Sequence, residues 1–89
     1  MNNGIIYLTL EQAKTIHSKT IQYSGGGTYE ALDIGKLDSV LQHIQNDDYY
    51  PNFVDKLTHL FFSTCQFHCF ADGNKRLAIT LSLQFLLFN

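Results

Sequence analysis

The sequence predicts an all-α fold, a small helical bundle built around a buried central helix. Three observations carry this. A capping-box start is followed by apolar residues at helical spacing, two later segments carry apolar stripes of the same kind, and the run Leu77 to Phe88 has only Thr80, Ser82 and Gln84 as polar residues. With 89 residues the chain can form one small domain but not a large core, and no internal repeat or linker divides it, so residues 1–89 read as a single domain.

In chain order, Thr9-Leu10-Glu11-Gln12 has the form of a capping box, and Leu10, Ala13, Ile16 or His17, Thr20 and Ile21 follow it at helical spacing up to Tyr23. Ser24-Gly25-Gly26-Gly27 stops this first helix. From there to about Gly35 the chain carries too much glycine and too little periodicity for a helix, and reads as a loop or short hairpin flap of the kind that often touches partners. From Lys36, the stripe Leu37, Val40, Leu41 and Ile44 gives a short second helix that ends around Asn46-Asp47-Asp48. Pro51 is well placed to begin a third, with Phe53, Leu57, Leu60, Phe61 and Thr64 on one face until about Phe67. Tyr49 and Tyr50 are expected to pack at its start.

The fourth helix, Leu77 to Phe88, is apolar on every side. At about 12 residues it falls short of the roughly 20 that span a bilayer, so it reads as a helix in the middle of a bundle. Three amphipathic helices cover about half or more of it, and Phe88-Asn89 brings neither a capping glycine nor a basic last turn. The expectation is therefore a C-terminally incomplete domain whose exposed apolar helix favours self-association.

Apolar residues are 45% of the chain, which places it among globular rather than disordered sequences. A net charge of -2 leaves no general electrostatic footprint for nucleic acid or an anionic membrane, so any anion site has to be local. No basic segment leading into an apolar one opens the sequence, and the expected location is the cytoplasm. Cys65 and Cys69 frame His68, but a zinc site needs two further ligands, and His43 and His59 lack finger-type spacing; both thiols read as small hydrophobes.

The chemistry is concentrated in His68-Cys69-Phe70-Ala71-Asp72-Gly73-Asn74-Lys75-Arg76, where an imidazole, a carboxylate, an amide and two cations stand between two predicted helices. Free backbone N–H groups around Gly73 to Arg76 and the positive end of the following helix favour an anion, and Lys75 and Arg76 add full charges. Asp72 either caps that helix or supplies a carboxylate to Mg²⁺, whose other positions go to phosphate oxygens and water. His68 either serves structure or takes a proton from an attacking hydroxyl as general base.

This stretch resembles the Fic family motif, His, any residue, Phe, any residue, Asp or Glu, Gly, Asn, Gly or Lys, Arg, and matches it at every fixed position. Leu8-Thr9-Leu10-Glu11-Gln12 through Tyr23-Ser24-Gly25-Gly26, and Asp33-Ile34-Gly35-Lys36-Leu37-Asp38, are similar to the death-on-curing (Doc) branch in order and spacing, so the resemblance runs from about Tyr7 to Asn89. In Fic adenylyltransferases glycine normally stands where this chain has Lys75, and a further arginine where it has Ile79; lysine without that arginine is the Doc pattern, in which ATP is reversed so that its γ-phosphate faces the histidine. A lysine side chain also crowds the seat that the adenylylating orientation needs. The resemblance thus implies a protein kinase using ATP and Mg²⁺, as the toxin of a bacterial toxin-antitoxin pair.

The implied roles are His68 as base, Asp72 as Mg²⁺ ligand, Gly73, Asn74, Lys75 and Arg76 around the phosphates, and Phe70 as a core anchor. Gly25, Gly26, Gly27, Thr28 and Tyr29 correspond to a flap that aligns a segment of the target by backbone pairing. The implied target is translation elongation factor Tu, and the implied partner a Phd-type antitoxin whose tail folds on binding and closes the site. Two departures stand out: Cys69 where many Fic domains have proline, and the absence of the helices that complete the family's bundle.

Overall fold

A computed structural model describes residues 4–24, 33–67 and 74–89. They form four helices, α1 (Leu10–Ser24), α2 (Ile34–His43), α3 (Phe53–Gln66) and α4 (Asn74–Phe88), with no strand among the described residues. The fold class is the one the sequence predicts.

Helix α1 starts as the capping box requires. The Thr9 N–H donates to Gln12 Oε1 at 2.9 Å while the Gln12 N–H donates to Thr9 Oγ1 at 3.1 Å, so two N–H groups that the helix leaves free are satisfied reciprocally. Ala13, His17 and Ile21, spaced by four, are buried, and Leu10, Ile16 and Thr20 are half-buried beside them. Between His17 and Ile16, it is the histidine that points to the core.

Helix α2 begins at Ile34, two residues before the expected Lys36, and Gly35 lies in its first turn. Asp33 decides this: its carboxylate accepts the Lys36 N–H at 3.2 Å, which is worth about 1 kcal/mol and outweighs the glycine. Leu37, Val40 and Leu41 are buried, and so is Ile44 just past the helix. The helix ends at His43 rather than near Asn46, because Asn46 turns the chain with its own side chain, accepting from the N–H groups of Asp48 and Tyr49.

Helix α3 begins at Phe53, capped by Asn52, whose side-chain oxygen accepts the Asp55 N–H at 2.9 Å; Pro51 stands ahead of the cap instead of opening the helix. Its buried face is Lys56, Leu60, Ser63 and Thr64, with Phe53 and Leu57 half-buried, whereas Phe61, expected inside, is exposed. The face is turned because Lys56 enters the core: its ammonium reaches Asp47 and the Ile44 carbonyl at 2.8 Å each, which meets the cost of burying a cation. Of the two tyrosines ahead of the helix, Tyr50 stacks on His59 with ring centroids 4.4 Å apart, while Tyr49 is 78% exposed and does not pack.

Helix α4 packs most extensively on α3 and also along α1. Leu77, Ala78, Leu81 and Phe85 are buried, and the Phe85 ring meets Phe53 at 4.9 Å and Tyr7 at 6.0 Å. The opposite side is uncovered: Ile79, Leu83, Leu86 and Leu87 are each about half exposed or more. α4 is thus central but not buried on every side, because the described elements supply covers for one flank only. At its far end Asn89 accepts the Ile6 N–H at 2.8 Å, donates to the Ile6 carbonyl at 2.9 Å and donates again to the Phe85 carbonyl, so α1 and α4 lie antiparallel. None of the helices is long and apolar enough to cross a membrane.

Candidate functional site

Two helix ends frame the expected site. The Phe67 N–H closes α3 by donating to the Ser63 carbonyl at 2.9 Å, and α4 opens at Asn74. His68, Phe70, Asp72 and Gly73, together with Cys69, lie outside the described residues, as do Gly25, Gly26, Gly27, Thr28 and Tyr29 of the expected flap.

The described part of the site is the first turn of α4. Asn74, the first residue of α4, is only 9% exposed. Lys75 and Arg76 are exposed in the same turn, at the end where the helix dipole is positive. The Thr80 hydroxyl donates to the Arg76 carbonyl at 2.8 Å, one turn on.

Charge pairing separates these two from most other cations. Of the six Lys and Arg in the chain, Lys14 pairs with Glu11, Lys36 with Asp33 and Lys56 with Asp47; Lys19, Lys75 and Arg76 have no carboxylate within ion-pair distance among the described residues. Arg76 also lines a cavity of about 700 Å³ between α1 and α4, with Lys19, Thr20, Ile16, Ile79, Thr80 and Gln84 as its other walls. Sequence reasoning singled out Lys75 and Arg76 as the last two residues of the His68–Arg76 motif. It did not single out Lys19, a polar residue on the outer face of α1 that the fold brings to the same groove.

Other polar clusters have structural explanations. No group of three or more His, Cys, Asp and Glu among the described residues is placed to hold a metal ion. His59 sits between the Tyr50 hydroxyl at 3.3 Å and Ser63 Oγ at 3.3 Å, and its partial burial, with His43 nearby, holds its pKa below the ordinary histidine value. Cys65 is a half-buried free thiol.

A sequence profile of the Fic/DOC family matches residues 7–86. No curated protein and no solved structure gives a significant match to the chain. The profile match runs from the residue before Leu8, ahead of α1, to the last turns of α4, and so takes in all four helices and both ends of the expected site.

Proposed function

We propose that this chain, which belongs to the Fic/DOC family, transfers the γ-phosphoryl group of ATP to a protein hydroxyl as the toxin of a bacterial toxin-antitoxin module. Members of the family are generally transferases. The observation that supports phosphoryl over adenylyl transfer is Lys75: the position that is glycine in the adenylylating pattern carries an exposed ammonium in the first turn of α4, next to Arg76 and without a carboxylate partner among the described residues.

Cations without a described carboxylate partner on a helix N-terminus fit a polyphosphate, whose charge they neutralise at the positive end of the helix dipole. In this reading Asn74 fastens the turn, Lys75 and Arg76 hold phosphate oxygens, and Asp72 is the ligand for Mg²⁺. The bound ion neutralises charge that builds on the phosphates. His68 removes the proton from the attacking hydroxyl. Holding the two reactants in line and offsetting charge supplies most of the rate.

The substrate in this proposal is elongation factor Tu in the bacterial cytoplasm, aligned by the segment Gly25 to Tyr29, and a Phd-like antitoxin closes the site. The test is the intact mass of elongation factor Tu after incubation with this protein, Mg²⁺ and ATP, with His68→Ala in parallel. A phosphate-sized gain that the variant does not produce is the expected result. An adenylate-sized gain overturns the assignment from Lys75, and growth arrest of equal strength by both proteins overturns the enzyme reading.

A further inference from the structure

We infer that Lys19, on α1, is a phosphate-binding residue that closes on the polyphosphate of the nucleotide from the side opposite Arg76. The inference rests on the proposal that this chain uses ATP, and it adds a residue from outside the motif to that site.

Three observations lead to it. Lys19 and Arg76 come from different helices yet line one groove of about 700 Å³, a size suited to a small-molecule ligand. Among the described residues no acidic side chain lines that groove, and neither cation has a carboxylate partner. Two like charges facing one groove disfavour each other, and an anion between them removes that penalty.

The remaining polar groups do not compete for the role. The Thr20 hydroxyl donates to the Ile16 carbonyl at 2.9 Å and that of Thr80 to the Arg76 carbonyl at 2.8 Å, so each has its proton committed to its own helix. Ile16 and Ile79 are apolar. Among the described lining residues, the donors left for an anion are the two cations and the Gln84 amide. The antiparallel course of α1 and α4 brings Lys19 to the end of the groove where α4 begins, so its charge acts on the same ligand as the helix N-terminus.

The test is calorimetric binding of Mg·ATP to the whole protein at low salt, comparing Lys19→Ala, Lys19→Arg, Arg76→Ala and Lys14→Ala, with thermal melting as a control on folding. Lys19→Ala is expected to weaken Mg·ATP about 3- to 10-fold, Lys19→Arg to restore most of the affinity, and raised salt to shrink the difference. Lys14, already paired with Glu11 on the same helix, is expected to be without effect. Unchanged affinity in Lys19→Ala, with Arg76→Ala weakened, overturns the role of Lys19 and leaves the proposed function standing. Unchanged nucleotide affinity with slower transfer to the protein target also overturns it, and gives the groove to an acidic protein segment. Absence of Mg·ATP binding by the unaltered protein overturns both proposals together.

Discussion

The ammonium of Lys56, on α3, lies 2.8 Å from the Asp47 carboxylate in the connection that follows α2. The same nitrogen donates to the Ile44 carbonyl at 2.8 Å and lies 5.7 Å from the centre of the Tyr7 ring, so one fully buried cation ties the end of α2, the segment before α1 and α3 together. Burial alone would lower its pKa. The Asp47 and Tyr7 contacts outweigh that and raise it above 10.5, so the lysine stays charged at neutral pH.

Replacing Lys56 by alanine is expected to destabilise the fold by about 2–4 kcal/mol, since it removes a buried stem and orphans the Ile44 carbonyl. Lys56→Met keeps the stem and should cost roughly half as much. Urea unfolding of the three proteins measures this, and a Lys56→Ala midpoint equal to that of the unaltered protein would show the contact to be idle. Because the folded pKa is raised, the stabilisation is present below about pH 10.5 and is lost as pH rises through the folded value.

For His59 the sign is opposite. Its depressed pKa means that the folded state takes up a proton less readily than the unfolded chain does, so stability is full above about pH 6.5 and declines as pH falls below it. Thermal melts at pH 7.5 and 5.5 are expected to show a smaller acid loss in His59→Gln than in the unaltered protein. An equal loss in both assigns the acid sensitivity to other groups.

The capping box gives a local target. Thr9→Ala is expected to cost about 1 kcal/mol, and Gln12→Ala added to it less than its cost alone, because the first change already breaks the reciprocal pair. Strict additivity in a double-mutant cycle would mean that the two hydrogen bonds act independently.

At the proposed site, Arg76→Ala should leave stability within about 0.5 kcal/mol, as expected for an exposed side chain, while lowering phosphoryl transfer more than about tenfold. The paired readouts are melting temperature and initial rate. A variant that transfers at the original rate removes Arg76 from the phosphate site.

Legibility in the sequence followed the range of the interaction that decided each feature. The start of α1 was readable because Thr9 and Gln12 carry the whole device within four residues. Gly35 misled because the cap that recruits it, Asp33, sits at the edge of a glycine-rich stretch. The burial of Lys56, and with it the rotation of α3 that leaves Phe61 outside, depends on a carboxylate nine residues away across a turn, which no helical pattern encodes. For α4 the residues alone have no sidedness, so only its neighbours decide that Leu81 is covered and Leu83 is not. The density of chemistry from His68 to Arg76 stood out at once, whereas Lys19 joins Arg76 only through the antiparallel course of two distant helices.

The clasp between Ile6 and Asn89 bears on the order of folding. It joins residues 83 apart, so its closure carries a larger loop entropy than the docking of α3 on α4, which lie next to each other in the chain. The α3–α4 pair can therefore form a nucleus onto which the α1 arm is laid late, and in native fluctuations that arm should be among the first parts released. Faster amide exchange in α1 than in α3 would report it. Each such release also parts Lys19 from Arg76, so the groove assembles last and opens first, and a ligand that spans it would hold the chain's two halves together.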